Sequence, residues 1–255
     1  MGKRLIINGA DFSVNGIAPE YLNLAWIGGT IRDTRDGTYT EGGVTYDASL
    51  GEYISTGIHV TENTRLYIEF IAGTEPRYFY VAGGNLSTGT GLYALAAQSK
   101  LIAGMMFRTG TTTHNQLEIQ GGLWDGEKHT VDISKGGVVL DGVSHQWEYT
   151  PQLNPSATNT SLIYLDCASL NYNPNSSQYA NTALYYVDGG ERVKCPNGIK
   201  ICRVKVYTDY TDPTSLAVDA IPAKRTSDNK VGFYNLVNGD WFFRNNDSTP
   251  TYGTL

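Results

Sequence analysis

No run of apolar residues in this 255-residue chain approaches the roughly 20 that span a bilayer as a helix. The opening MGKRLIINGADFS reaches Asn and Gly before an apolar leader segment can form, so no secretory signal peptide is expected and folding in a cytoplasm is. Charge is scarce: Asp, Glu, Lys and Arg together make up 17% of residues, against roughly 25% in ordinary soluble domains. What charge there is sums to −6, and an acidic surface argues against nucleic acid, whose phosphates need cations. Cysteine is limited to Cys167, Cys195 and Cys202. An odd count in a chain without a leader points to reduced thiols, with a Cys195–Cys202 pair left open should they meet across a hairpin.

Recurring helical periodicity is missing as well. Only Asp212-Pro213-Thr214-Ser215-Leu216 has the chemistry of a helix start, with Asp as cap and Pro just inside, and it supports one turn at most. Catalytic signatures are absent too: there is no G-x-S-x-G, H-E-x-x-H or P-loop, and no Glu-Asp-Glu set alternating on one strand. Two carboxyl groups flanking a glycosidic bond are the usual requirement for its hydrolysis. Here Glu69, Glu118 and Asp132 each stand alone among apolar or hydroxyl neighbours.

In place of these the chain has 29 glycines, 18 tyrosines and many Thr, Asn and Ser, a composition of turns and strands. The clearest segment is Leu123 to Gly142, LWDGEKHTVDISKGGVVLDG. Asp125-Gly126 makes a turn. His129, Val131 and Ile133 then fall on one face of a strand and Thr130, Asp132 and Ser134 on the other, the period-two mark of a half-buried strand. Lys135-Gly136-Gly137 reverses the chain, Val138-Val139-Leu140 returns, and Asp141-Gly142 supplies the next turn. His129 is expected to be buried and structural.

Similar alternation places Leu66, Ile68 and Phe70 inward, and Cys202, Val204 and Val206 inward with Arg203, Lys205 and Tyr207 outward. Cys202 therefore reads as a core thiol. Further strands are expected at 77–82, 91–97, 101–108, 116–120, 162–166, 183–187, 231–236 and 240–243. Many short antiparallel strands at this length suit an all-β sandwich of two sheets. Residues 1–20, with short apolar pieces around Asn8-Gly9 and a stop at Pro19, read as an arm ahead of a sandwich domain spanning 21–255.

The Leu123–Gly142 hairpin resembles the central hairpin of laminin-G-like domains, in the concanavalin A-like jelly-roll superfamily. The order of the other segments is similar as well: Glu52 to Ile58 followed by Asn63 to Phe70, then Asn197 to Tyr207, then Ile221 to Arg225 with Gly232 to Gly239. These pieces resemble laminin-G-like domains of phage and prophage fibre proteins, and GADFSVNGI at 9–17 resembles the openings of gut-bacterial phage proteins. The resemblance covers about 53–243. One departure is Asn235, where those proteins carry Asp.

What the resemblance implies is a virion protein: a non-enzymatic carbohydrate-recognition or structural module of a fibre, binding bacterial surface polysaccharide, contacting other virion proteins and assembling as a homo-oligomer, with a trimer favoured. The alternatives are a glycan depolymerase or lyase on the same scaffold, needing convergent carboxylates or a Tyr-His pair in one cleft, and a purely structural decoration protein. Between Asp166 and Cys195 runs a long Tyr-, Asn- and Ser-rich segment suited to sugar contact, since tyrosine offers a flat face and a hydroxyl. Tyr172, Asn173 and Tyr179 are the ligand-binding candidates there, with Trp147 and Tyr149 as a second patch. No cofactor is expected. Calcium is conceivable at Asp125, Asp141, Asp166 and Asp188, which sit near turns, although solvated turn carboxylates are the simpler reading.

Overall fold

The computed structural model describes residues 6–12, 19–23, 38–41, 44–47, 54–59, 61–72, 74, 79–83, 90–96, 100–107, 115–148, 162–165, 185–188, 191–194, 200–243 and 251–253. Among them every regular element is a β-strand, and every pairing is antiparallel. Arg65–Ile71 lies at the centre of a twelve-stranded sheet, flanked by Lys128–Ser134 on one side and Lys200–Tyr207 on the other. A six-stranded sheet runs from Asn115–Gln120 through Lys100–Phe107, Thr90–Ala96, Phe79–Gly83 and Leu162–Leu165 to Ile54–His59. The chain passes between the sheets repeatedly, from Ile54–His59 in the small one to Arg65–Ile71 in the large one and back again. The result is an antiparallel sandwich of the jelly-roll kind, as the strand pattern predicts.

One core fills the space between the sheets. Leu66, Ile68, Phe70, Val131, Ile133, Val138, Val204 and Val206 contribute from the large sheet, and Ile54, Leu101, Ala103, Met105 and Ile119 from the small one. Strand periodicity explains the large-sheet set: in Lys128–Ser134 burial alternates residue by residue, with His129, Val131 and Ile133 inward. The hairpin pairs in the expected register, Val131 opposite Leu140 and Ile133 opposite Val138. Asp141 and Gly142 both have positive φ, 49° and 81°, the paired left-handed geometry that a two-residue hairpin turn requires.

The structure bears out one detail of the sequence reading, adds a long strand and corrects the facing of Cys202. Asp212-Pro213 closes a single turn, as expected: Asp212 Oδ1 accepts the Thr214 amide at 2.8 Å and the Thr214 hydroxyl at 2.7 Å. Leu216–Arg225 is a ten-residue strand with Pro222 inside it, where proline argues against a central strand. Pro222 is tolerated because that edge changes partner around it, with Lys200–Tyr207 pairing up to Ala220 and Ala10–Asp11 from Lys224 onward. Finally, the register between Lys200–Tyr207 and Arg65–Ile71 shifts between Ile201 and Arg203. The bulge gives Ile201 the place in the core cluster that alternation assigns to Cys202. Cys202 is a buried free thiol, as expected, but it lies among the charges of Lys128, Glu69 and Lys200, and burial pushes its pKa up to about 11.

The N-terminal segment forms a hairpin turning at Asn8-Gly9, both at positive φ, and Ala10–Asp11 is hydrogen-bonded onto Leu216–Arg225 as part of the large sheet. Gly9 O accepts both the backbone amide of Thr226 at 2.8 Å and its hydroxyl at 2.9 Å. No helix among the described residues is long and apolar enough to cross a membrane.

Candidate functional site

The outer face of the large sheet carries the polar half of each alternating strand. Register sets Lys205, Tyr67, Asp132, Val139 and Ser144 in one row across five strand positions. At the end of this row opens a cleft of about 220 Å³. Arg65, Asp132, Ser134, Ser144, Gln146 and Tyr210 bring side-chain chemistry to its lining, with the backbone of Gly136-Gly137 beside them.

Each wall has a local cause. Arg65 and Asp132 face outward by alternation on adjacent strands and form a tight pair, with Nε donating to Oδ1 at 2.9 Å and Nη2 to Oδ2 at 2.6 Å. The guanidinium also lies 4.7 Å from the centre of the Tyr207 ring, and its pKa is raised chiefly by the hydrogen bond to Asp132. Tyr210 reaches the cleft from the turn after Lys200–Tyr207, its amide bound to Asn63 O at 2.7 Å. Its ring packs beside Gly136, where an added Cβ would stand 3.5 Å from Tyr210 Cε2. Gly137 has a tighter constraint: φ is 137° and a Cβ would fall 2.7 Å from His145 O.

Trp147 stands behind this wall. Its indole N–H donates to Ser134 O at 2.8 Å, and its ring is partly buried against the core cluster. Tyr149, Tyr172, Asn173 and Tyr179 lie outside the described residues, as do Cys167, Cys195, Asp166 and the side chain of Asp188.

The cleft holds a single acid among its described lining residues, Asp132, and both of its oxygens are engaged by Arg65. His145 also borders the cleft, but it pairs with Val138, whose side chain is in the core. Cross-strand partners share a face, so the imidazole belongs to the face opposite Asp132, Val139 and Ser144.

Two of the turn aspartates have a different occupation. Asp141 Oδ2 lies 2.8 Å from His129 Nδ1, and Asp125 Oδ1 lies 3.0 Å from Nε2. Carboxylates only accept, so both ring nitrogens donate and the arrangement is satisfied by the imidazolium. Burial alone would push the His129 pKa down; the hydrogen bonds to Asp141 and Asp125 outweigh it and hold it above the usual histidine value. Asp141 Oδ1 accepts the Thr130 amide at 2.7 Å as well. Asp125 is kept below the usual carboxylate range, chiefly by the Glu127 amide. Among the described residues no group of three or more His, Cys, Asp or Glu is placed to hold a metal ion.

Sequence alternation points Arg65 and Asp132 outward but cannot pair them, because their contact depends on which strands are neighbours. Tyr210 and Gln146 carry no signal beyond lying in or beside turns.

The chain matches no family model and no curated protein sequence. Among solved structures it is similar to full-length tailspike protein 2 from the Escherichia coli O157:H7 bacteriophage CAB120, at TM-score 0.42 and 13% identity, over 82% of this chain and 30% of that one. It is also similar to a protein assigned as a beta-glucanase from Mycobacterium abscessus, at TM-score 0.35 and 13% identity, over 67% of this chain and 73% of that one. The chain thus spans under a third of the tailspike's length.

Proposed function

We propose that the protein is a glycan-recognition module of a phage or prophage fibre, holding bacterial surface polysaccharide without cleaving it. The observation that carries the reading is the engagement of Asp132 by Arg65 in an open cleft walled by Tyr210. A planar Arg-Asp pair beside a tyrosine ring offers donors, acceptors and a flat face to sugar hydroxyls. The ordered resemblance of the sequence to laminin-G-like domains of fibre proteins supports the particle context. A single shallow site binds weakly, and display in several copies on a homo-oligomeric fibre, a trimer by that resemblance, raises avidity by about 10²–10⁴ without new contacts.

The test is incubation of the protein with capsular and cell-wall polysaccharides of candidate hosts, scoring retention of polymer and release of reducing or unsaturated ends. Retention without release, weakened by Tyr210→Ala, is expected. A second series, Tyr172→Ala and Tyr179→Ala, asks whether the tyrosine-rich segment contributes. Release of chain ends would replace the reading with a depolymerase, and absence of both would leave a structural particle component.

A further inference from the structure

Around the cleft, the outer face of the central strands is charged but balanced. Arg65 is engaged by Asp132. Arg203 grips Asp219 through two bonds of 2.7 Å. Lys205 Nζ lies 5.7 Å from the centre of the Tyr67 ring, and the Tyr67 hydroxyl donates to Glu69 at 3.0 Å. The cations Arg65, Arg203 and Lys205 are thus matched by Glu69, Asp132 and Asp219 within the same patch. Burial and the adjacent Glu69 push the Tyr67 phenol up to about 12, which leaves it neutral at any working pH. Beyond contact range the chain as a whole carries −6, a field that repels polyanions at low salt.

We infer that, given the cleft's role as a glycan site, its ligand is an uncharged saccharide, held by hydroxyl hydrogen bonds and ring contact, and that Asp132 acts as a specificity residue by masking Arg65 from acidic sugars. An acidic glycan would have to compete with Asp132 for Arg65, exchanging one carboxylate for another at no gain. An uncharged sugar keeps the pair intact and bonds to its periphery.

The experiment prints neutral oligosaccharides and their uronate-bearing counterparts from bacterial surface polysaccharides on one array. The intact protein is compared with Asp132→Asn and Tyr210→Ala, each first checked by a cooperative thermal melt. Expected are binding to neutral members that is unchanged between about 50 and about 500 mM NaCl, its loss in Tyr210→Ala, and a gain of about tenfold for uronate-bearing members in Asp132→Asn, since that change exposes a guanidinium to the ligand. The gain should fall as salt rises. Preference of the unaltered protein for acidic members, weakening with salt, would overturn the inference while leaving glycan recognition in place. Binding to no member by the folded protein would overturn both.

Discussion

Asn235 holds the backbone amide of Asp219 across the closing strands, its Oδ1 accepting that N–H at 2.9 Å. The same oxygen accepts the Val237 amide at 3.2 Å, and Nδ2 donates to Ala217 O at 3.1 Å. The side chain is almost fully buried. A carboxylate at this place could not donate to Ala217 O. Asn235→Asp is therefore expected to cost about 2 kcal/mol, the penalty for an unsatisfied buried acceptor facing a second acceptor. Urea denaturation at neutral pH measures it, and a loss below about 0.5 kcal/mol would mean that the Nδ2 bond contributes little.

The clasp of His129 between Asp125 and Asp141 predicts a pH dependence of known sign. The folded pKa lies above the unfolded value of about 6.5, so the stabilisation is complete below that pH and is lost as pH rises through the folded value. The melting temperature should fall on going from about pH 6 to about pH 8, and His129→Gln should flatten that slope. Equal slopes in the two proteins would rule out the imidazolium.

Two glycines separate packing from backbone strain. At Gly232 a Cβ would stand 2.6 Å from Phe242 O and 2.7 Å from Phe243 Cδ1, so Gly232→Ala should destabilise by about 1–3 kcal/mol through overpacking. At Gly142 nothing lies within 4 Å and only the φ of 81° objects, so Gly142→Ala should cost about 1 kcal/mol. Parallel thermal melts give the order.

Trp147→Phe keeps the apolar ring but removes the donor to Ser134 O. A loss of about 1 kcal/mol in stability, with reduced glycan retention and no direct ligand contact by crystallography, would identify the indole as a support for the cleft wall. Unchanged stability with retention abolished would make it a sugar contact instead.

Cys202 should resist alkylation at pH 7. Its thiol is buried and its pKa is up to about 11, and thiolate is the reactive form. Mass spectrometry after iodoacetamide treatment should find Cys202 unmodified in native protein and modified in urea.

Alternation made much of the large sheet legible. His129, Val131 and Ile133 lie inward as read, and Arg65, Tyr67 and Glu69 outward, because a strand with one buried face has no other way to place its apolar residues. Where alternation breaks, reading fails: the bulge at Cys202 is a property of two strands and leaves no trace in one. Pro222 hid a long strand for the same reason, since its tolerance depends on a gap between neighbours. The cleft was illegible because Arg65 and Asp132 meet only through non-local pairing, 67 residues apart. Composition, the one guide available, leads to tyrosine-rich stretches.

The bonds from Gly9 to Thr226 close a loop of 217 residues, and Tyr21–Asn23 is bracketed by Thr251–Gly253 and Lys200–Tyr207. Leu22, fully buried in the core, thus gains its partner strands only once Lys200–Tyr207 and Thr251–Gly253 have been made. Contacts of such sequence separation slow folding, because chain entropy is lost long before burial compensates for it. Tyr21–Asn23 waits with open edges through the synthesis of the intervening residues, until Lys200–Tyr207 and Thr251–Gly253 complete the sheet around it.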